Sequence, residues 1–305
     1  MTIAVLITLT ASFLWAITNH IDKYMLCNID DSTSNVKTLL LFSSFVAGMV
    51  LSPIWLFISK FQIQIGIIPL IFIFIAAVLY ILATYFYFKA LEKNDASIVV
   101  VMFQLIPVFS YIFSLLFFGE ILSVNETIGA LIIISSAIII SFEFSKSSNK
   151  NKLIALLLMT LSSLLYSLYF ICFDFAMKNG TYNSVAFWYQ IGLLLVGVIL
   201  INIKGFRKSF IKMIKNNGKK FISLNITNEA LNLIANLMVN FANLTIPLAL
   251  ANTLNGFQGA FCFIIGVIGV TIFPKIFSED LNKKIVFQKI ISIIIGIIGL
   301  IVMFS

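Results

Sequence analysis

Apolar residues in this chain fall in long unbroken runs separated by short polar punctuation. The runs cover roughly 3–26, 36–58, 67–90, 97–118, 126–143, 152–176, 183–202, 221–243, 248–273 and 286–304. Each is close to the ~20 apolar residues that a helix needs to cross the hydrocarbon core of a bilayer. Strands of a membrane barrel would alternate lumen-facing and lipid-facing positions over about ten residues, and these runs do not alternate. The stretch from Asn28 to Ser34 closes the first run, Glu92-Lys93-Asn94-Asp95 separates the third from the fourth, and Ser145 to Lys152 is the longest polar run. The pattern predicts an all-α polytopic membrane protein with ten transmembrane helices.

The polar run at mid-chain divides the sequence into two five-helix halves, 1–145 and 146–305. The halves repeat in part. Ser12-Phe13-Leu14-Trp15 faces Ser163-Leu164-Leu165-Tyr166, and Ala90 to Phe109 lies against Ala242 to Phe261. An odd number of helices per half places the second half upside down in the membrane. Inverted repeats of this kind are a common transporter architecture, with the site near the midplane.

Composition narrows the classes of function. Hydrophobic residues make up 61% of the 305 positions and charged residues only 10%. A soluble domain carries roughly 45–50% apolar and about 25% charged residues, so a cytosolic enzyme and a nucleic-acid-binding domain are both excluded. Cys27, Cys172 and Cys262 are far apart and form neither a disulfide framework nor a zinc motif. Residues 1–26 lack the basic start of a signal peptide. There is no HExxH, P-loop or GxGxxG, and a single histidine cannot supply a metal cluster or a His-based triad with a recognisable motif. No enzyme activity and no cofactor is expected. The expected partners are a small-molecule substrate, the lipid bilayer and at most a second copy of the chain.

Residues 85–120 read YFYFKALEKNDASIVVVMFQLIPVFSYIFSLLFFGE and are followed by LSVNETIGALIIISSAIII. With Ala90, Ala96-Ser97, Pro107, Gly119-Glu120, Gly129 and, in the first run, Ser12 and Trp15, this stretch resembles the EamA domain of the drug/metabolite transporter superfamily. In layout the resemblance covers the whole chain as two copies. In the second copy Gly259 stands where Pro107 does in the first, and no Gly-Glu pair closes the ninth run. The resemblance implies a secondary transporter of small metabolites or drugs with a central cavity between the halves.

The net charge of +8 comes from 20 basic and 12 acidic residues. Eighteen of the 20 basic residues, Lys289 among them, are assigned to the loops after the odd-numbered runs, leaving Lys60 and Lys178 on the other side. Lys/Arg bias sets orientation, so those loops are expected in the cytoplasm and both termini outside, although the best-known members of the resembling family have cytoplasmic termini. Within Ile203 to Lys220, Phe206, Phe210 and Ile214 recur at four-residue spacing among basic residues. This reads as a short amphipathic helix on the cytoplasmic face, with a solvated charged loop as the alternative.

Polar groups within the runs carry the candidate chemistry, because in hydrocarbon they tend to face a cavity or a partner. In the eighth run Asn228, Asn232, Asn236 and Asn240 follow a spacing of four, flanked by Asn225, Glu229 and Asn243. That row either lines a wet path or holds helices together through amide hydrogen bonds. Asn252, Asn255 and Gln258 continue the pattern in the ninth run, and Gln104 precedes Pro107 in the fourth. Trp15, Asn19 and His20 lie in the first run and Tyr166 in the sixth, whereas Trp55 reads as an interface anchor. Trp15, Asn19, Gln104, Tyr166, Glu229, Asn232, Asn236, Asn255 and Gln258 are thus candidate substrate contacts. Glu229 and His20 are candidates for proton coupling. The expected function is transport of a small polar or amphipathic metabolite by alternating access across the cytoplasmic membrane. The alternatives are a flippase for a lipid-linked substrate and a non-transporting sensor or assembly subunit.

Overall fold

The computed structural model describes residues 2–28, 35–118, 123–141, 149–242, 254–274, 276–277, 279–303 and 305. Gly119, Glu120, Asn243 and Asn252, and parts of the polar runs at 28–34 and 145–152, lie outside them. Among the described residues the chain is helical and contains no strand. The α-helices are α1 (Thr2–Asn28), α2 (Asn35–Val46), α3 (Ser52–Ile58), α4 (Ile67–Lys93), α5 (Ala96–Val101), α6 (Leu105–Phe118), α7 (Val124–Ser141), α8 (Asn149–Lys178), α9 (Tyr182–Asn202), α10 (Lys204–Ala242), α11 (Gln258–Ile272) and α12 (Lys283–Met303). Among the described residues, each of the ten apolar runs overlaps one or two of these. Six segments are by themselves long and apolar enough to cross a membrane: Ile3–Cys27, Val36–Ile58, Ile67–Lys93, Leu153–Lys178, Tyr182–Asn202 and Lys283–Met303. Ala96–Ser110, Val124–Ile140 and Gln258–Ile272 are shorter apolar helices. The protein is an all-α polytopic membrane protein.

Two of the predicted helices are interrupted. A π-helical turn, Ala47–Leu51, joins α2 to α3, and a 3-10 turn, Met102–Gln104, joins α5 to α6. Pro107 explains the second break, since a proline at the third position of α6 has no N–H to return to the preceding turn. Helix α10 contains one non-helical residue, Asn217, near the end of the basic segment and four residues before the eighth apolar run. Phe210 of the basic segment packs against Phe42 and Phe45, with ring centroids 4.9 and 5.9 Å apart. Its lysines and Arg207 lie outward. The segment is therefore a docked amphipathic helix, as its spacing predicted.

The chain folds into two compact units, each drawing on both sequence halves. Unit 1 comprises Met1–Tyr24, Lys89–Thr160 and Ala230–Ser305; unit 2 comprises Met25–Phe88 and Leu161–Glu229. In unit 1, α12 packs along α7. Leu105, Val108, Ile133, Ala137, Leu300 and Met303 form a buried apolar cluster there. Two hydrogen bonds cross the same interface, from Ser136 Oγ to the Ser292 carbonyl (2.7 Å) and from Gln288 Nε2 to the Ile139 carbonyl (2.5 Å). Helix α7 opens on a capping box, in which the Ser123 amide donates to Glu126 Oε2 and the Glu126 amide donates to Ser123 Oγ. In unit 2, α9 lies against α2 and α3. Ser162 Oγ of α8 donates to the Ala83 carbonyl of α4 at 2.8 Å. Trp55, expected at a membrane interface, is 3% exposed instead and meets Tyr182 edge-on at 5.4 Å. Its place in α3 turns it toward α9 and away from lipid.

Candidate functional site

Unit 2 holds a cluster of aromatic rings midway along three membrane-length helices. Tyr80 is near the middle of α4, Tyr166, Tyr169 and Phe173 share one face of α8, and Tyr189 is on α9. Tyr80 meets Tyr166, Tyr169 and Tyr189 edge-on at 5.7, 5.6 and 6.0 Å. Phe173 stands perpendicular to Tyr189 at 5.5 Å. The edge-on geometry places the positive rim of one ring against the negative face of the next. Tyr166 Oη lies 2.9 Å from Thr84 Oγ1, whereas the buried Tyr189 hydroxyl meets no hydrogen-bond partner among the described residues. Tyr166 was a sequence candidate, whereas Tyr80, Tyr169 and Tyr189 were missed. The signal was the Tyr166, Tyr169, Phe173 spacing of three and four, which puts the rings on one helical face.

The asparagine row of α10 does not stay on one kind of surface. Asn225 and Asn228 are buried, and Asn225 Nδ2 donates to Ser43 Oγ at 3.3 Å. Glu229 is half-buried and hydrogen-bonds the Ser43 side chain. One turn on, in unit 1, Asn232 is half-buried and Asn236 is exposed, with its Nδ2 returned to the Asn232 carbonyl at 2.7 Å. A spacing of four drifts around a helix of 3.6 residues per turn, so the row passes from a packed to an open face.

In unit 1, α1 lies against Asn255 and the residues just before α11. Ser12 Oγ approaches Asn255 Oδ1 at 3.3 Å and the Leu254 carbonyl at 3.4 Å. Gln104 sits in the 3-10 turn, its Nε2 3.5 Å from the Gly256 carbonyl. Gly296 of α12 leaves the space that the Gln104 amide fills, because a Cβ there would collide with Oε1. Trp15 and Gln258 are half-buried and Asn19 is buried. His20 is buried too: its Nε2 lies 2.8 Å from the Cys262 carbonyl and its ring 5.2 Å from that of Phe277.

The densest polar cluster of unit 1 was not among the sequence candidates. Lys289, assigned to a loop in the charge tally, is in α12 and only 1% exposed. The correction has a plain cause. Lys289 is the seventh residue of a helix whose buried face also carries Ile285, Ser292 and Ile293, so its ammonium is directed into the unit. Its Nζ contacts Asp95 Oδ2 at 2.5 Å and Glu279 Oε2 at 2.7 Å. Asp95 occupies the N-cap position of α5 but makes no capping hydrogen bond there. Glu279 caps the helix in its place, taking the Ser97 amide on Oε1 at 3.2 Å and the Ser97 hydroxyl on Oε2 at 2.7 Å. Gly266 of α11 makes room for this arrangement, since a Cβ there would strike Glu279 Cγ. A sequence signal for Glu279 existed. FSEDLNKK from Phe277 aligns with FGEILSVN from Phe118, so Glu279 stands where Glu120 does in the first half, at a shift of 159 rather than 152.

Comparison with known proteins agrees with the fold. A solved structure described as "Crystal structure of protein" matches over 97% of this chain and 96% of its own, at 14% identity and a TM-score of 0.50. That likeness concerns the fold alone. No curated protein matches the chain in sequence. Residues 2–142 match the model of the EamA-like transporter family. Those residues include the capped start of α5, the break before Pro107 and the helices on either side, and over them the chain is similar to that family.

Proposed function

We propose that the protein is a secondary transporter that moves a small polar or amphipathic metabolite or drug across the cytoplasmic membrane by alternating access. The likeness to the EamA-like transporter family supports the transporter class. The observation that carries the finer reading is the ring cluster of unit 2. Hydroxyl-bearing rings gathered at mid-helix offer apolar faces and hydrogen-bonding edges at the depth where lipid offers only hydrocarbon. Such a surface suits a ligand with a flat or cationic apolar body and a few polar atoms. The lysine-rich loops and the amphipathic start of α10 favour a cytoplasmic position for the odd-numbered loops, with both termini outside.

The test uses full-length protein in proteoliposomes. Amino acids, nucleosides and small organic cations are first screened for thermal stabilisation, since a ligand that prefers the folded form raises apparent stability. A stabilising compound is then offered as a radiolabelled solute. Counterflow of that compound, weakened in Tyr80→Leu and Tyr189→Leu, is the expected result. Binding with no counterflow for any stabilising compound overturns the transport reading. Stabilisation by lipid extracts alone points to the flippase reading instead.

A further inference from the structure

Glu279 lies outside the apolar runs, in the connection between α11 and α12, yet it is buried. With every group ionised, its cluster has one positive charge, on Lys289, and two negative charges, on Asp95 and Glu279. One negative charge is therefore in excess around the buried Lys289 and Glu279, with Asp95 itself partly exposed, an arrangement that folding opposes. The N-terminus of α5 offsets only about half a charge.

Among the described residues no other group shown facing the cluster supplies a second full positive charge. The Asp280 amide donates to Asp95 Oδ2 at 3.0 Å, while the exposed Asp280 carboxylate accepts from the Asn282 amide. Lys23 of α1 directs its ammonium to the Leu91 and Glu92 carbonyls. Glu92 pairs with Lys89, and Lys283 and Lys284 are exposed. His20 of α1 and Cys262 of α11 are within electrostatic reach, with His20 held on the Cys262 carbonyl.

We propose that Glu279 is a proton-binding site, taking up one proton from water while Lys289 stays with Asp95. The added O–H donates to Ser97 Oγ, which accepts as readily as it donates. The Ser97 amide keeps its bond to Oε1, so the capped end of α5 persists in both states. Burial, reinforced by Asp95, raises the Glu279 carboxyl above the ordinary carboxylate range, against the opposing pull of Lys289 and Ser97. Proton release would strengthen the hold of Lys289 on the α11–α12 connection, and proton uptake would relax it. This deepens the transport reading by giving a proton gradient a place to act, and it rests on that reading only for that consequence.

Infrared difference spectra of the full-length protein in lipid, recorded between acid and alkaline pH, need no substrate. A protonated-carboxyl band is expected to titrate above the ordinary carboxylate range and to vanish in Glu279→Gln. It should survive in Glu229→Gln. A band untouched by Glu279→Gln, or removed by Glu229→Gln instead, overturns the assignment.

Thermal unfolding gives a second readout. The folded chain holds the proton to a higher pH than the unfolded chain does. Stability is therefore fully present below the unfolded carboxylate value and is lost as pH rises through the folded one. The wild-type Tm should fall by a few degrees as pH rises from the ordinary carboxylate range into the alkaline range, and that of Glu279→Gln should stay level over the same interval. Equal slopes overturn the proposal. Should Glu279→Gln fail to fold, Asp95→Asn keeps the question open to test. Removing that negative charge should move the band's midpoint to lower pH, and an unmoved midpoint rejects the site. A titrating band without counterflow would remove the transport reading and leave the proton site; counterflow without the band would do the reverse.

Discussion

The two compact units bury polar groups in opposite ways. Unit 1 gathers ions: one ammonium and two carboxylates around the capped start of α5. Unit 2 gathers neutral hydroxyls on rings, along α4, α8 and α9. The difference lies in how much each group depends on its partners. A buried ion stripped of its counter-ion is strongly destabilising, by about 3–5 kcal/mol. A hydroxyl stripped of its partner loses about 0.5–1.5 kcal/mol. Unit 1 should therefore be brittle to single substitutions and sensitive to pH, and unit 2 tolerant of substitution and indifferent to pH.

The largest effect should come from Lys289→Met. It removes the one cation and leaves Asp95 and Glu279 facing each other with no counter-charge, so the loss should reach about 3–5 kcal/mol. SDS-titration unfolding of the full-length protein checks this. Adding Asp95→Asn and Glu279→Gln to the same chain should recover most of the loss, because a neutral set of similar volume carries no desolvation penalty. If Lys289→Met alone unfolds like wild type, the contrast between the units fails at its strongest point.

A smaller effect is expected at Gly266. A methyl group there meets Glu279 Cγ and Cδ, and the carboxylate must yield or α11 must move. Overpacking of this kind typically costs about 1–3 kcal/mol. Gly266→Ala should also flatten the pH dependence of Tm, because a displaced Glu279 no longer titrates in a buried place. Loss of stability with the pH dependence intact would show that Gly266 serves helix packing and not the ion cluster.

How much of this was legible in the sequence depended on the kind of signal. Long apolar runs specify membrane helices almost without context, and the break between α5 and α6 lies beside Pro107, where the effect of proline is local. The docking of Phe210 followed from spacing, although Ile214, the last residue of the same series, is exposed. Lys289 was misread because a lysine near a helix start looks like a loop residue. What buries it is a pair of carboxylates lying 194 and 10 residues away in sequence. Glu279 was hidden by a similar distance, since its capping target Ser97 is 182 residues away. The asparagine row was read correctly as a spacing. Its drift from buried Asn225 to exposed Asn236 depends on which neighbours lie beside α10, and no local pattern records that.

The smallest effect tests the other side of the contrast. Tyr166→Phe removes the hydroxyl that lies 2.9 Å from Thr84 Oγ1. Thr84 is not left unsatisfied, because its own hydroxyl already donates to the Tyr80 carbonyl at 2.8 Å. The ring and its edge-on contact with Tyr80 remain in the variant. The hydrogen bond to Thr84 is between neutral groups, and its loss should cost about 1 kcal/mol. No charge changes, so Tm should shift by the same amount at acid and alkaline pH. If Tyr166→Phe were as damaging as Lys289→Met, the hydroxyls of unit 2 would be acting as a single cooperative network. The aromatic cluster would then be as exacting as the ionic one, and a ligand site built on it would be rigid rather than adaptable.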